Sequence, residues 1–175
     1  RSGPMAQPYR ILVVDDEQSL REFLEIFLRK GGHDVHVAEG GGAAVALIEA
    51  GEEFDLVLTD LKMRGMDGIE LCERLVATRP DVPVVLMTAF GSMETTVAAI
   101  RAGAYDFVTK PLRRTELVHT VNNAIEKGAL VRENRSLKSQ LAQRRDDTII
   151  GHSSSMLAVI EEARQVADSM ASVLI

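Results

Sequence analysis

Five short apolar segments alternate with five helical patterns along most of this chain. The apolar segments occupy residues 11–14, 35–38, 56–59, 84–87 and 105–108. The helical patterns that follow them occupy residues 19–30, 43–50, 69–78, 94–102 and 113–143. Nearly continuous apolar strands are buried on both faces, and alternation with helices makes the sheet parallel with right-handed crossovers. The sequence therefore predicts a doubly wound, five-stranded α/β domain of the flavodoxin-like kind, with the strand order 2-1-3-4-5.

The composition is that of a globular protein. Of the 175 residues, 46% are hydrophobic and 26% are charged, which excludes disorder throughout. No apolar run approaches the roughly 18 residues needed to cross a bilayer, and no signal peptide precedes the first strand. A single cysteine, Cys72, fits a reducing compartment. We therefore expect a cytoplasmic protein without membrane contact, and the net charge of −6 argues against direct nucleic-acid binding by this chain.

Polar residues of distinct chemistry follow four of the predicted strands. Asp15 and Asp16 follow the first strand, Asp60 the third, Thr88 the fourth and Lys110 the fifth. The carboxyl ends of parallel strands share one edge, and strands one and three are neighbours in the predicted order, so the carboxylates should lie together. A hard divalent cation would relieve their repulsion, and oxygen ligands suit Mg²⁺. Lys110 would supply the remaining positive charge.

A carboxylate nucleophile, a cation, a lysine and a hydroxyl are the groups needed to receive a phosphoryl group. We predict that Asp60 is the acceptor and that Asp15 and Asp16 hold Mg²⁺. Lys110 would balance phosphoryl charge, and the Thr88 hydroxyl would donate to a phosphoryl oxygen. Taken singly, each residue has a commoner role as a helix cap, loop acid, turn hydroxyl or surface cation. Their combination at four strand ends favours the chemical interpretation.

On these residues the sequence resembles the receiver domain of bacterial two-component response regulators. The resemblance spans residues 9–127. It is carried by Leu12-Val13-Val14-Asp15-Asp16-Glu17, Leu58-Thr59-Asp60-Leu61-Lys62-Met63, Met66-Asp67-Gly68, Met87-Thr88-Ala89 and Lys110-Pro111. It implies a CheY-like fold, phosphorylation of Asp60 by a partner histidine kinase, and regulation rather than enzymatic turnover.

The resemblance also implies roles for individual residues. Mg²⁺ would be bound by Asp15, Asp16, Asp60 and the backbone carbonyl of Lys62. The Lys110–Pro111 peptide bond would be cis. Phe107 occupies the position of the family's aromatic switch, which moves inward with Thr88 on phosphorylation, although a plain core role for Phe107 stays open. Arg64 stands where the family usually has proline, so the loop after Asp60 is expected to be more mobile.

The last helical pattern contains a candidate dimerisation seam. At about 1.5 Å per residue the pattern would span roughly 45 Å, too long for one compact domain to cover. Leu130, Asn134, Leu137 and Leu141 recur at alternating spacings of four and three, as in a coiled coil. Asn134 at an a position favours two strands. We therefore predict a homodimer formed through residues 128–146, with a solvated single helix as the alternative.

The two ends of the chain differ from the predicted domain. Residues 1–8 are expected to be a vector remnant and a tail. After a polar break at residues 144–147, residues 147–175 resemble the start of the AAA+ ATPase domain of sigma-54-dependent transcription activators. That resemblance implies a longer parent with ATPase activity that acts with sigma-54 RNA polymerase on enhancer DNA. Phosphorylation of Asp60 would then control the dimer arrangement, and through it the ATPase.

Three other functions are compatible with parts of this pattern. An aspartate-nucleophile phosphatase of similar fold would need a second aspartate two residues after Asp60, where Lys62 stands. A flavin carrier would need a phosphate-binding first loop, which Asp15, Asp16 and Glu17 would repel. A degenerate receiver that acts by binding alone stays open.

Overall fold

A computed structural model of the chain describes residues 8–89 and 91–150. The predicted start of an ATPase domain at residues 147–175 lies almost wholly outside the described residues, as does most of the N-terminal tail. Contacts divide the chain into two units, residues 1–132 and residues 133–175. The first unit holds the whole sheet.

Strands and helices alternate as the sequence predicts. The strands are β1 (Arg10–Val14), β2 (Asp34–Ala38), β3 (Leu56–Asp60), β4 (Val84–Thr88) and β5 (Asp106–Thr109). The helices are α1 (Gln18–Lys30), α2 (Gly41–Glu49), α3 (Gly68–Thr78), α4 (Met93–Ala102) and α5 (Arg114–Ile150). All strand pairs are parallel and the order is β2-β1-β3-β4-β5. The predicted fold class is confirmed.

Alternate residues of each central strand pack on opposite faces of the sheet, because successive side chains of a strand point in opposite directions. In β1, Ile11 and Val13 contact one apolar core with α1 and α5, whereas Leu12 and Val14 contact another with α2, α3 and α4. All four are fully buried. The continuous apolar runs thus fill two cores, and the polar residues that end the strands are left at one edge.

Two glycines permit close packing of helices. A Cβ on Gly41, the first residue of α2, would lie 2.8 Å from the Met66 Cβ, so this glycine lets the start of α2 pack against the loop after β3. A Cβ on Gly128 of α5 would lie 3.0 Å from Pro83 Cδ. Both positions require a small residue because a neighbouring segment lies too close for a larger one.

The last helix is longer than predicted. It includes residues 144–147, where a polar break was expected, and it continues through Ile150. Arginine and aspartate are charged but are not helix breakers, and the segment contains neither proline nor glycine. Earlier in α5, Arg132 pairs with Asp55 and with Asp81, the latter at 3.4 Å. The first unit extends to Arg132, and the receiver boundary at residue 127 stays a prediction.

Candidate phosphoacceptor site

Three carboxylates meet at the carboxyl edge of the sheet. Asp60 is the last residue of β3, and Asp15 and Asp16 directly follow β1, its neighbour. One oxygen from each of the three lies within 4.8 Å of the others. Parallel pairing of β1 with β3 produces this arrangement, because it fixes both strand ends at one edge. The predicted juxtaposition of these three residues is present.

Burial differs sharply within the cluster. Asp15 has 0% exposure and Asp60 has 8%, whereas Asp16 is exposed. Burial raises the pKa of Asp15, and the negative charge of Asp60 raises it further, while the backbone N–H of Glu17 opposes the shift. Asp15 therefore keeps its proton to a higher pH than an exposed aspartate does.

Lys110 links two of the carboxylates. Its ammonium donates to Asp60 Oδ1 at 3.1 Å and lies 3.6 Å from Asp15 Oδ2, beyond hydrogen-bond distance. The Lys110–Pro111 peptide bond is cis, as the family resemblance implied. The backbone N–H of Lys110 donates to the Thr88 carbonyl at 2.7 Å. Lys110, which follows β5, thus lies at the edge of the sheet where β3 ends in the Asp60 carboxylate.

Thr88 and Phe107 line the same small cavity. Thr88 is buried at the end of β4, and Phe107 is half-buried on β5. Leu61, the residue after Asp60, lines the same cavity, as does Ala99 of α4. The two predicted switch residues therefore share one cavity with the residue that follows the acceptor.

The remaining predicted residues lie in two places. Lys62 is in the loop between β3 and α3, two residues beyond Asp60, and the role of its backbone carbonyl stays a prediction. Leu130, Leu137 and Leu141 lie on α5 with exposures of 59%, 52% and 59%. Asn134 is also exposed on α5. These seam residues are distant in sequence from the acceptor, and their role as a dimer contact is also untested.

Sequence reasoning missed several groups that shape the site. Arg21 of α1 donates through its guanidinium to the Asp15 carbonyl at 2.8 Å. The backbone N–H of Arg64 donates to Asp16 Oδ2 at 3.3 Å. Gly68 is buried at the start of α3, directly against the backbone of Asp60. Arg64 carried a signal in the sequence, as a departure from the family's usual proline, and Gly68 stands in the motif Met66-Asp67-Gly68, whereas Arg21 carried none.

The fold and the site together define a receiver-type α/β domain, with an aspartate, a lysine and a threonine at the carboxyl edge of a 2-1-3-4-5 sheet. Residues 11–122 match the family described as the response regulator receiver domain. The chain belongs to this family.

Curated relatives are longer than this chain. It is 34% identical over 169 residues to the transcriptional regulatory protein GlrR of Escherichia coli, a match that covers 97% of this chain and 36% of the relative. It is 39% identical over 165 residues to the transcriptional regulatory protein ZraR of Salmonella typhimurium, covering 94% of this chain and 36% of that relative. The chain thus spans about a third of the length of these relatives.

Solved structures share the fold. A receiver domain protein from Methanospirillum hungatei superposes with a TM-score of 0.66 and 30% identity, covering 70% of this chain and 97% of that one. NtrX from Brucella abortus, solved in complex with ATP, superposes with a TM-score of 0.68 and 36% sequence identity, covering 74% of this chain and 29% of that one. Among the described residues, the structure contains no helix that is long and apolar enough to cross a membrane.

Proposed function

We propose that Asp60 accepts a phosphoryl group from a histidine kinase. The observation that carries this proposal is the position of Asp60 at the end of β3, 3.1 Å from the Lys110 ammonium and beside Asp15 and Asp16. A carboxylate oxygen of Asp60 would attack phosphorus, forming a P–O bond as the P–N bond of the phosphohistidine breaks. The imidazole nitrogen leaves with the bond pair and takes up a proton.

Lys110 and Thr88 fit the charge changes of this transfer. The phosphoryl group brings three oxygens that together carry up to two negative charges, and the catalytic demand is for positioning and neutralisation rather than covalent chemistry. Lys110 already pairs with Asp60, so its ammonium is placed to stay paired with the aspartyl phosphate. The Thr88 hydroxyl would donate a hydrogen bond to a phosphoryl oxygen.

The donor set of the acidic cluster suits Mg²⁺. Asp15 Oδ2 is buried without a hydrogen-bond partner, an arrangement that costs stability unless a ligand uses the oxygen. Asp15, Asp16, Asp60 and the backbone carbonyl of Lys62 would hold the ion through oxygen atoms alone, which a hard cation prefers. When bound, the cation would neutralise charge on the transferring phosphoryl oxygens.

The phosphorylated state would be transmitted through Thr88 and Phe107. Both line the cavity that also includes Leu61, the residue after Asp60, so a Thr88 hydroxyl drawn toward a phosphoryl group would leave space for the Phe107 ring to move inward. Such a movement would alter the surface formed by α4 and β5. Regulation in this proposal is a population shift between two packings of the same core.

The output of this shift would be the arrangement of a homodimer. Leu130, Leu137 and Leu141 are apolar and more than half exposed, which supports a second copy of α5 as their partner. Glu133 at g and Lys138 at e would pair between parallel helices. The resemblance of residues 147–175 to an ATPase start supports a parent that is a sigma-54-dependent activator, with DNA as a further partner.

The test of the proposal is a covalent adduct on Asp60. The chain is incubated with Mg²⁺ and acetyl phosphate, and intact masses of wild type and Asp60→Asn are compared. We expect one phosphoryl adduct on wild type, lost when Mg²⁺ is chelated and absent from Asp60→Asn. No wild-type adduct would refute the acceptor role and leave a receiver that acts by binding alone. Steady turnover of phosphate esters would instead indicate a phosphatase.

A further inference from the structure

Two carboxylates of the acidic cluster each accept a hydrogen bond from a protein group. Asp15 Oδ1 accepts a hydrogen bond from the backbone N–H of Glu17 at 2.8 Å. Asp60 Oδ1 accepts one from the Lys110 ammonium at 3.1 Å. In each case one oxygen is fixed and the carboxylate still offers a ligand atom to the cluster. A carboxylate held in this way loses little rotational freedom when an ion binds.

Asp16 is the exposed member of the cluster, and burial does not restrict its side chain. Its Oδ2 accepts a hydrogen bond from the backbone N–H of Arg64 at 3.3 Å. Arg64 lies in the loop between β3 and α3, 48 residues further along the chain. The donor is thus a main-chain group of the same loop that contains Lys62.

The residue type at position 64 decides whether this bond can exist. Proline has no backbone N–H, so a proline at this position could not donate to Asp16. Any other residue type could. The arginine, expected from sequence to leave the loop more mobile, permits a hydrogen bond that joins the loop to the acidic cluster.

We propose that the backbone N–H of Arg64 is a positioning group for the cation site. It holds Asp16 Oδ2, so that this exposed carboxylate is oriented toward Asp15 and Asp60 before any ion arrives. This inference rests on the proposed Mg²⁺ site and adds a residue to it. The guanidinium of Arg64 has no part in the role, because the donor is the main chain.

Two variants at one position isolate the N–H from the side chain. Arg64→Pro and Arg64→Ala both remove a positive charge close to the acidic cluster, but only Arg64→Pro removes the donor. Mg²⁺ affinity is measured by titration calorimetry without any phosphodonor, and thermal unfolding verifies that each variant is folded. We expect Arg64→Pro to bind Mg²⁺ about three- to tenfold more weakly than Arg64→Ala, the effect of one net hydrogen bond.

The outcomes separate this inference from the function on which it rests. Equal affinities in the two variants, or tighter binding by Arg64→Pro, would overturn the positioning role while leaving the Mg²⁺ site intact. Arg64→Ala should bind as tightly as wild type or slightly more tightly, because a repelling charge is gone. A wild-type protein that shows no Mg²⁺ binding would instead refute the proposed site itself.

A second measurement does not depend on how proline affects the fold. Exchange of the Arg64 amide proton is followed by NMR in metal-free wild type and in Asp16→Ala, which lacks the acceptor. We expect exchange several-fold faster in Asp16→Ala. The Glu70 amide, which donates to Asp67 Oδ1 at 2.8 Å, is the internal control and should not change. Identical Arg64 exchange in both proteins would overturn the inference.

Discussion

Gly68 lies so close to the acceptor backbone that adding one methyl group should disturb both stability and chemistry. A Cβ at this position would lie 2.3 Å from the Asp60 carbonyl oxygen and 2.9 Å from the Leu61 Cα. Ordinary contact begins at 3.4 Å, so the backbone must move by about 1 Å. Both contacts are to main-chain atoms, which cannot rotate away as a side chain can.

The expected cost of Gly68→Ala follows from that overlap. Overpacking typically costs about 1–3 kcal/mol, and a rigid backbone contact belongs at the upper end of that range. Replacing glycine by alanine in a helix raises the free energy of unfolding by about 0.5–1 kcal/mol, which offsets part of this cost. The net loss is therefore about 2 kcal/mol, or about 4–8 °C in Tm for a chain of this size. Displacement of Asp60 should also slow phosphorylation by acetyl phosphate at least about tenfold.

Gly42→Ala is the matched control for this substitution. Gly42 is an exposed residue of α2, and a Cβ there would meet nothing within 4 Å. Its replacement should raise the stability by about 0.5–1 kcal/mol and leave phosphorylation unchanged. Thermal unfolding followed by circular dichroism gives Tm, and intact mass against time gives the rate. The steric reasoning is refuted if Gly68→Ala matches wild type in both.

Three further substitutions test other parts of the structure. Because burial raises the pKa of Asp15, the folded protein holds that proton to higher pH than the unfolded chain, and metal-free stability falls as pH rises through the raised pKa. Asp15→Asn should therefore raise Tm in EDTA at pH 7, with the gain shrinking as the pH is lowered toward 4. Arg132→Gln should lower the unfolding free energy by about 1–2 kcal/mol, because the aspartates that pair with Arg132 are only about one quarter exposed. This value lies between those typical of exposed and of buried ion pairs. The exposed Arg135 is the control, and Arg135→Gln should change the unfolding free energy by less than about 0.5 kcal/mol. Leu137→Asp should abolish dimerisation in sedimentation equilibrium, whereas Ser139→Asp, at an outer position of the same heptad, should not.

Each of these expectations has a contrary result. A lower Tm for Asp15→Asn in EDTA at pH 7 would show that its charge stabilises the metal-free fold. Equal unfolding free energies for Arg132→Gln and Arg135→Gln would show that the ion pairs on α5 contribute nothing measurable. If the wild-type chain sediments as a monomer at high micromolar concentration, the proposed homodimer and its seam on α5 are wrong.

The fold and the main acidic cluster could be predicted from local pattern. Continuous apolar runs such as residues 11–14 require burial on both faces, and the alternating helices require parallel pairing. Parallel pairing then brings Asp15, Asp16 and Asp60 to one edge without any knowledge of side-chain contacts. The C-terminal end of α5 could not be predicted from the sequence in the same way, because a run of charged residues does not stop a helix.

The sequence by itself determined which residue types stand at the strand ends, because strand and helix periodicity are local properties of the chain. Only the tertiary structure decided what orients them. The Arg64 N–H on Asp16 and the Arg132 pair with Asp55 join residues 48 and 77 positions apart. Every residue except proline carries a backbone N–H, so the sequence does not mark which one will donate. Long-range contacts of this kind depend on packing of the whole domain, because that packing fixes the positions of the main-chain atoms.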